Sequence, residues 1–173
     1  MTDVPLHAPP SITAGQHIVD VASSLIGIGY SEESPSGSDG DGHDWEPGDA
    51  RPTRLDCSGL VVVVLVTVGI RIISRGTAQD QWLQHIGGIV HPDDELLPGD
   101  VMAFLGANNI RGYAGHTGIV ADYSTKTKTG LLINAYDTLR GTCELQFNRL
   151  QKTNEMNGLG VVGAYRPANR ITG

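Results

Sequence analysis

The sequence predicts an α+β domain, with helices first and an antiparallel sheet of about five or six strands after them. Three observations carry this. Ile18, Val19, Ala22, Leu25 and Ile26 recur at helical spacing over 14–26. A long apolar run, Leu60 to Ile70, follows Cys57. Beyond residue 100 come short strand-like segments, at Val101–Leu105, His116–Tyr123, Leu131–Tyr136, Cys143–Phe147 and Val161–Arg166, with turn residues between them. A length of 173 residues suits one domain with its own core. Residues 1–13 are Pro-rich and read as a loose arm, leaving 14–173 as the single domain.

The first helix is expected to end at Gly27-Ile28-Gly29-Tyr30. Residues 31–53 are rich in Ser, Gly, Asp and Pro and read as a long loop. Asp39, Asp41 and Asp44 in it lack the spacing and closing Glu of an EF-hand, so no metal is assigned. The run after Cys57 is a conflict. Val61 to Val64 favour a strand by propensity, whereas the length of the run favours a buried helix. Helix is the reading adopted, with Asp56 and Ser58-Gly59 as cap chemistry. A short helix should follow residue 77, with Trp82, Leu83 and Ile86 as its packing face and Gly87-Gly88 as its end. Leu97-Pro98-Gly99-Asp100 reads as a turn into the first long strand.

Formal charge is −7 and aromatics make up 5%. An acidic chain does not track phosphates, so nucleic acid is excluded as a partner. Two cysteines make no disulfide framework, and both are expected as free thiols. Met1 to Gln16 does not read as a secretory signal, and no apolar stretch reaches the roughly 20 residues that span a bilayer.

Cys57 stands where polar sequence turns into the apolar run. A thiol at the first turn of a helix faces free N–H groups and the positive end of the dipole, which favour thiolate, the nucleophilic form. Asp-Cys-Ser-Gly-Leu at 56–60 resembles the nucleophile motif of the NlpC/P60 cysteine peptidases. Leu97 to Phe104 resembles that family's Pro-Gly-Asp strand entry, and Gly115-His116-Thr117-Gly118-Ile119-Val120 its histidine strand. Three motifs in order, spanning about residues 16–166, make a specific match. Arg75 to Gln79 resembles the family's linker into a short helix, and 161–166 its terminal Gly-Ala-x-Arg strand.

The resemblance implies a papain-like fold and a cysteine peptidase domain needing no cofactor. It implies Cys57 as nucleophile, His116 as base and Asn134 as the residue orienting the imidazole; Asp122 or Asp137 would serve if the register were shifted. Tyr30 either lines the site, as the family's Tyr does, or packs. Asp56 and Ser58 hold the substrate peptide in relatives, and here capping is their alternative or additional role. Arg75 pairs either with a substrate carboxylate or with a surface acid. The implied substrate is a peptidoglycan stem peptide, cut between D-γ-glutamyl and the diamino acid. An N-acetylmuramoyl-L-alanine amidase, or a thiol acyltransferase or deamidase, could use the same groups. Action at the wall then requires delivery by lysis, a phage tail or an injection system, the last with an immunity protein as partner.

Overall fold

Thr13 starts the first helix: its hydroxyl accepts from Gln16 N–H at 3.2 Å, the usual N-cap bond. In the computed structural model, which describes residues 13–31, 45–70, 76–84, 87–105, 113–150 and 160–167, this helix is α1 (Ala14–Ser24). It is shorter than the expected 14–26. Leu25 caps it and Gly27 takes φ 90°, a left-handed turn that suits glycine. Ile18, Val19, Ala22 and Leu25 are buried as the spacing predicts, but Ile26 lies past the helix end and is 43% exposed.

β1 (Gly29–Tyr30) pairs in parallel with β2 (Arg54–Leu55), setting Tyr30 opposite Leu55. Two-residue strands leave no periodicity to read, so this pairing was not expected. It closes the base of the 31–53 loop, of which 32–44, with the three aspartates, lies outside the described residues.

α2 (Cys57–Thr67) settles the conflict in favour of a helix, with Cys57 to Leu65 all buried. β-branched residues cost a helix only about 0.5 kcal/mol each, against about 1.5–3 kcal/mol for burying each side chain. A strand would bury them too. The start and stop signals therefore decide: Asp56 caps Gly59 N–H at 2.5 Å, and Gly69 takes φ 79° beyond the end.

α3 (Ala78–Leu83) opens on a capping box between Thr77 and Asp80. Of its expected packing face, Trp82 is half-buried against the core, Leu83 is 65% exposed, and Ile86 lies outside the described residues.

The strands that follow are β3 (Gly88–Val90), β4 (Val101–Leu105), β5 (Ala114–Ser124), β6 (Thr129–Ala135), β7 (Thr142–Asn148) and β8 (Val161–Arg166). They form one six-stranded antiparallel sheet in the order β3-β8-β4-β5-β6-β7. The fold class is α+β, as read from the sequence. β3 was not anticipated, because Gly87-Gly88 reads as a breaker. Chain order also does not reveal that the final strand enters between β3 and β4.

Side chains alternate between two cores. Val101, Ile119, Ile133 and Tyr165 face α1 and α2, while Met102, Phe104, Val120, Leu132 and Ala164 form a second cluster on the other face. The sheet is rolled around that second cluster. Just beyond β7, the Arg149 guanidinium bonds the Asp94 carbonyl and, at 2.7 Å, the His91 carbonyl just beyond β3, bringing the two edges together. Asp100, one residue before β4, is 1% exposed and takes two bonds from Arg166 at the end of β8, at 2.8 and 3.0 Å.

Candidate active site

The site is assembled from one helix start and two neighbouring strands. Cys57 is the first residue of α2 and is 9% exposed. The backbone amides of Thr117, Ser58 and its own residue lie close enough to the sulfur to lower its pKa. Burial and the nearby Asp56 carboxylate outweigh them and push the thiol up to about 12. Thr117 is the residue after His116, so α2 delivers the sulfur to the histidine strand.

His116 is 8% exposed and lies on β5 opposite Phe104 of β4. Its Nε2 pairs with Asn134 Oδ1 at 3.1 Å. An amide oxygen only accepts, so Nε2 carries the proton and Nδ1 is left with a lone pair. The ring sits between Phe104 (tilted) and Tyr136 (edge-on), each 6.1 Å away between centroids. Desolvation lowers the His116 pKa to about 4, and the Asn134 bond only partly opposes it. Each group taken alone is therefore uncharged at neutral pH.

Asn134 is fully buried on β6 and donates from Nδ2 to the Cys143 carbonyl of β7 at 3.4 Å. Its partner on β5 is shaped for it. A Cβ at Gly118 would lie 2.9 Å from the Asn134 Cβ and 2.7 Å from Leu132 Cδ2, so only glycine fits between the strands. The two alternatives to Asn134 are engaged elsewhere. Asp137 accepts from the amides of Leu139 and Arg140 in the next turn, and Asp122 lies opposite Leu131, towards the far end of β5.

The other sequence candidates divide. Tyr30 is half-buried, packs on the helix-side core, and through its pairing with Leu55 stands two residues from Cys57 in register. Asp56 is the cap of α2, and Ser58 Oγ donates to the capping carboxylate at 2.9 Å. Arg75 lies outside the described residues. Cys143 is a half-buried free thiol whose backbone, not its sulfur, steadies Asn134. Among the described residues, no group of three or more His, Cys, Asp or Glu is placed to hold a metal ion, and no helix is long and apolar enough to cross a membrane.

Sequence reasoning missed the contribution of α3. Gln79 Oε1 accepts from Ala114 N–H, and Gln81 Nε2 donates to the Ser58 carbonyl. Glutamines on a short helix carry no signal until the elements they reach are known.

Comparison with known proteins bears on the same arrangement. A family model described as the NlpC/P60 family matches residues 42–150. Among solved structures, NlpC1 from Trichomonas vaginalis is similar at 18% identity and a TM-score of 0.62, over 92% of this chain and 46% of that one. An NlpC/P60 family protein from Bacillus cereus is similar at 18% identity and a TM-score of 0.59, over 90% of this chain and 40% of that one. The P60 domain of an antigen from M. avium subspecies paratuberculosis is similar at 20% identity and a TM-score of 0.52, over 88% and 96%. This chain thus spans less than half the length of the first two. No curated protein matches it at a significant level.

Proposed function

This chain belongs to the NlpC/P60 family, in general cell-wall peptidases, and from that premise we propose that it is a peptidoglycan hydrolase using Cys57, His116 and Asn134. The observation that supports this best is the 3.1 Å His116–Asn134 bond on strands against which α2 packs, with the Cys57 sulfur at the start of that helix close to the Thr117 backbone, next to His116.

In this reading the Cys57 thiol gives its proton to His116 Nδ1 as the sulfur attacks the substrate carbonyl carbon. Asn134 keeps the proton on Nε2 and so keeps Nδ1 aimed outwards. The Cys57 amide at the start of α2 stabilises the oxyanion, with the Tyr30 hydroxyl as a further donor. The imidazolium then protonates the leaving amine, giving a thioester on Cys57. Water, deprotonated by His116, releases the acid and restores the thiol. A neutral resting pair suits this order of events, because charge develops only as the sulfur attacks.

The bond cut is that between D-γ-glutamyl and the diamino acid of a stem peptide, with Asp56, Ser58 and Arg75 as the groups that hold it. Action at the wall after delivery by lysis, a phage tail or an injection system is part of the same proposal, as is an immunity protein for an injected form. Incubation with defined muropeptides tests it. New amine ends on the diamino acid are expected. Release of the whole stem peptide from its lactyl group would show an amidase, and no cleavage by protein with a reactive Cys57 would point to acyl transfer or deamidation.

A further inference from the structure

α3 bonds both elements that carry the pair just described, at Ser58 of α2 and Ala114 of β5. We propose that it is a positioning element, in which Gln79 fixes the start of the histidine strand and Gln81 fixes the first turn of the cysteine helix. The proposal rests on the roles given to Cys57 and His116 above.

Gln79 Oε1 accepts from the Ala114 amide at 2.5 Å. Ala114 opens β5 two residues before His116, at a place where the β4–β5 register shifts between Phe104 and Leu105. A register shift frees the strand from the regular ladder and re-aims the side chains beside it. Here the affected pair is Phe104 and His116, so the direction of the imidazole depends on what holds Ala114. Beyond its ladder partner Leu105, Ala114 is held by a side chain from outside the sheet, Gln79.

Gln81 is 4% exposed. Its Nε2 donates to the Ser58 carbonyl at 3.0 Å and to the Gly76 carbonyl at 3.4 Å. Two carbonyls on one side fix the orientation of the amide, because the reverse would set three oxygens together. Its Oε1 is then buried without a hydrogen-bond partner among the described residues. Such a group lowers stability, so a residue chosen for stability alone would be apolar here. What Gln81 secures is the position of Ser58, directly after the nucleophile.

The helix carrying these two side chains is itself anchored. Thr77 and Asp80 close a capping box at 3.0 and 3.3 Å. The Trp82 ring lies flush on β8 at Gly163, where a Cβ would come within 2.4 Å of Cη2. α3 thus bridges α2, β5 and β8, and through two amides ties the start of the cysteine helix to the start of the histidine strand.

The test uses the full chain with Gln79→Ala, Gln79→Glu, Gln81→Met and, as control, Cys57→Ala. Three quantities are measured: kcat and KM on a defined muropeptide, the pH profile of iodoacetamide alkylation mapped to Cys57 by mass, and the unfolding temperature. Gln79→Ala should lower kcat about tenfold or more, leave KM within about twofold, and shift the alkylation profile. Gln79→Glu keeps an acceptor for Ala114 and should recover most of kcat. Gln81→Met should lower kcat while its unfolding temperature holds or rises, since the unpartnered oxygen is gone. Wild-type kcat and alkylation profile in Gln79→Ala and Gln81→Met would overturn the proposal, as would equal losses in Gln79→Ala and Gln79→Glu. The two readings fail separately. A wild-type chain that cuts no muropeptide, with an alkylation profile still moved by Gln79→Ala, defeats the substrate assignment and supports the brace.

Discussion

Asp100, just before β4, and His116, on β5, are both buried polar residues, near opposite ends of the β4–β5 pairing, and they are treated in opposite ways. The Asp100 carboxylate takes Arg166 Nε at 2.8 Å, Nη2 at 3.0 Å and the Leu97 amide at 2.8 Å. That hydrogen bonding raises the Arg166 pKa further, so the guanidinium stays charged. His116 meets a neutral amide and two aromatic rings, with no counter-charge among the described residues, and its pKa falls to about 4. A buried group with a counter-ion is a fastening, because its charge has nowhere better to go. A buried imidazole beside an amide stays neutral and remains a proton acceptor, which is what a general base requires.

The contrast is broken most sharply at the sulfur. Cys57→Ala is expected to lower muropeptide turnover by at least about 10³-fold while the unfolding temperature stays close to wild type, and steady-state kinetics with calorimetry checks both. On the fastening side, Arg166→Met strands the Asp100 carboxylate. The cost should be about 3 kcal/mol in urea unfolding, with kcat retained, because Arg166 is 44% exposed but its partner is not.

A comparable term should appear with pH alone. His116 binds its proton near 6.5 when unfolded and near 4 when folded. The unfolded chain therefore takes up the proton first as pH falls. The His116 contribution is complete above about 6.5 and is lost on the way down to about 4, a change of about 3 kcal/mol visible as a falling unfolding temperature. Activity should show its acid limb near the folded value of about 4, where the base becomes protonated. Asn134→Asp sharpens the comparison by giving His116 the counter-charge that Arg166 already has. The acid limb should move up towards 6.5, because a carboxylate favours imidazolium. The smallest effect is expected at Gly118→Ala, about 1–3 kcal/mol from overpacking against Leu132 and Asn134, with kcat falling as Asn134 is displaced.

Much of this was legible beforehand. The start of α2 could be read at Asp56, because a cap is a local side-chain-to-backbone bond, and the strands from Val101 onwards could be read from alternation and turns. Ile26 and Leu83 were misplaced because each sits at a helix end, where one residue of error turns a side chain from core to solvent. β1, β2 and β3 were missed because two or three residues carry no period. Choosing Asn134 over Asp122 or Asp137 needed a family pattern, since all three are polar residues near strand ends; the register of β5 against β6 separates them in space.

The sequence by itself determined where elements begin, which faces are apolar, and that a thiol stands at a helix start. Those are interactions within a few residues, and side-chain chemistry specifies them. Only the tertiary structure decided that β8 lies between β3 and β4, that Arg149 joins the sheet edges, that Asp100 is fastened to Arg166, and that Gln79 and Gln81 reach Ala114 and Ser58. Each of these joins segments far apart along the chain. Their geometry follows from how whole elements pack, and no local pattern encodes it.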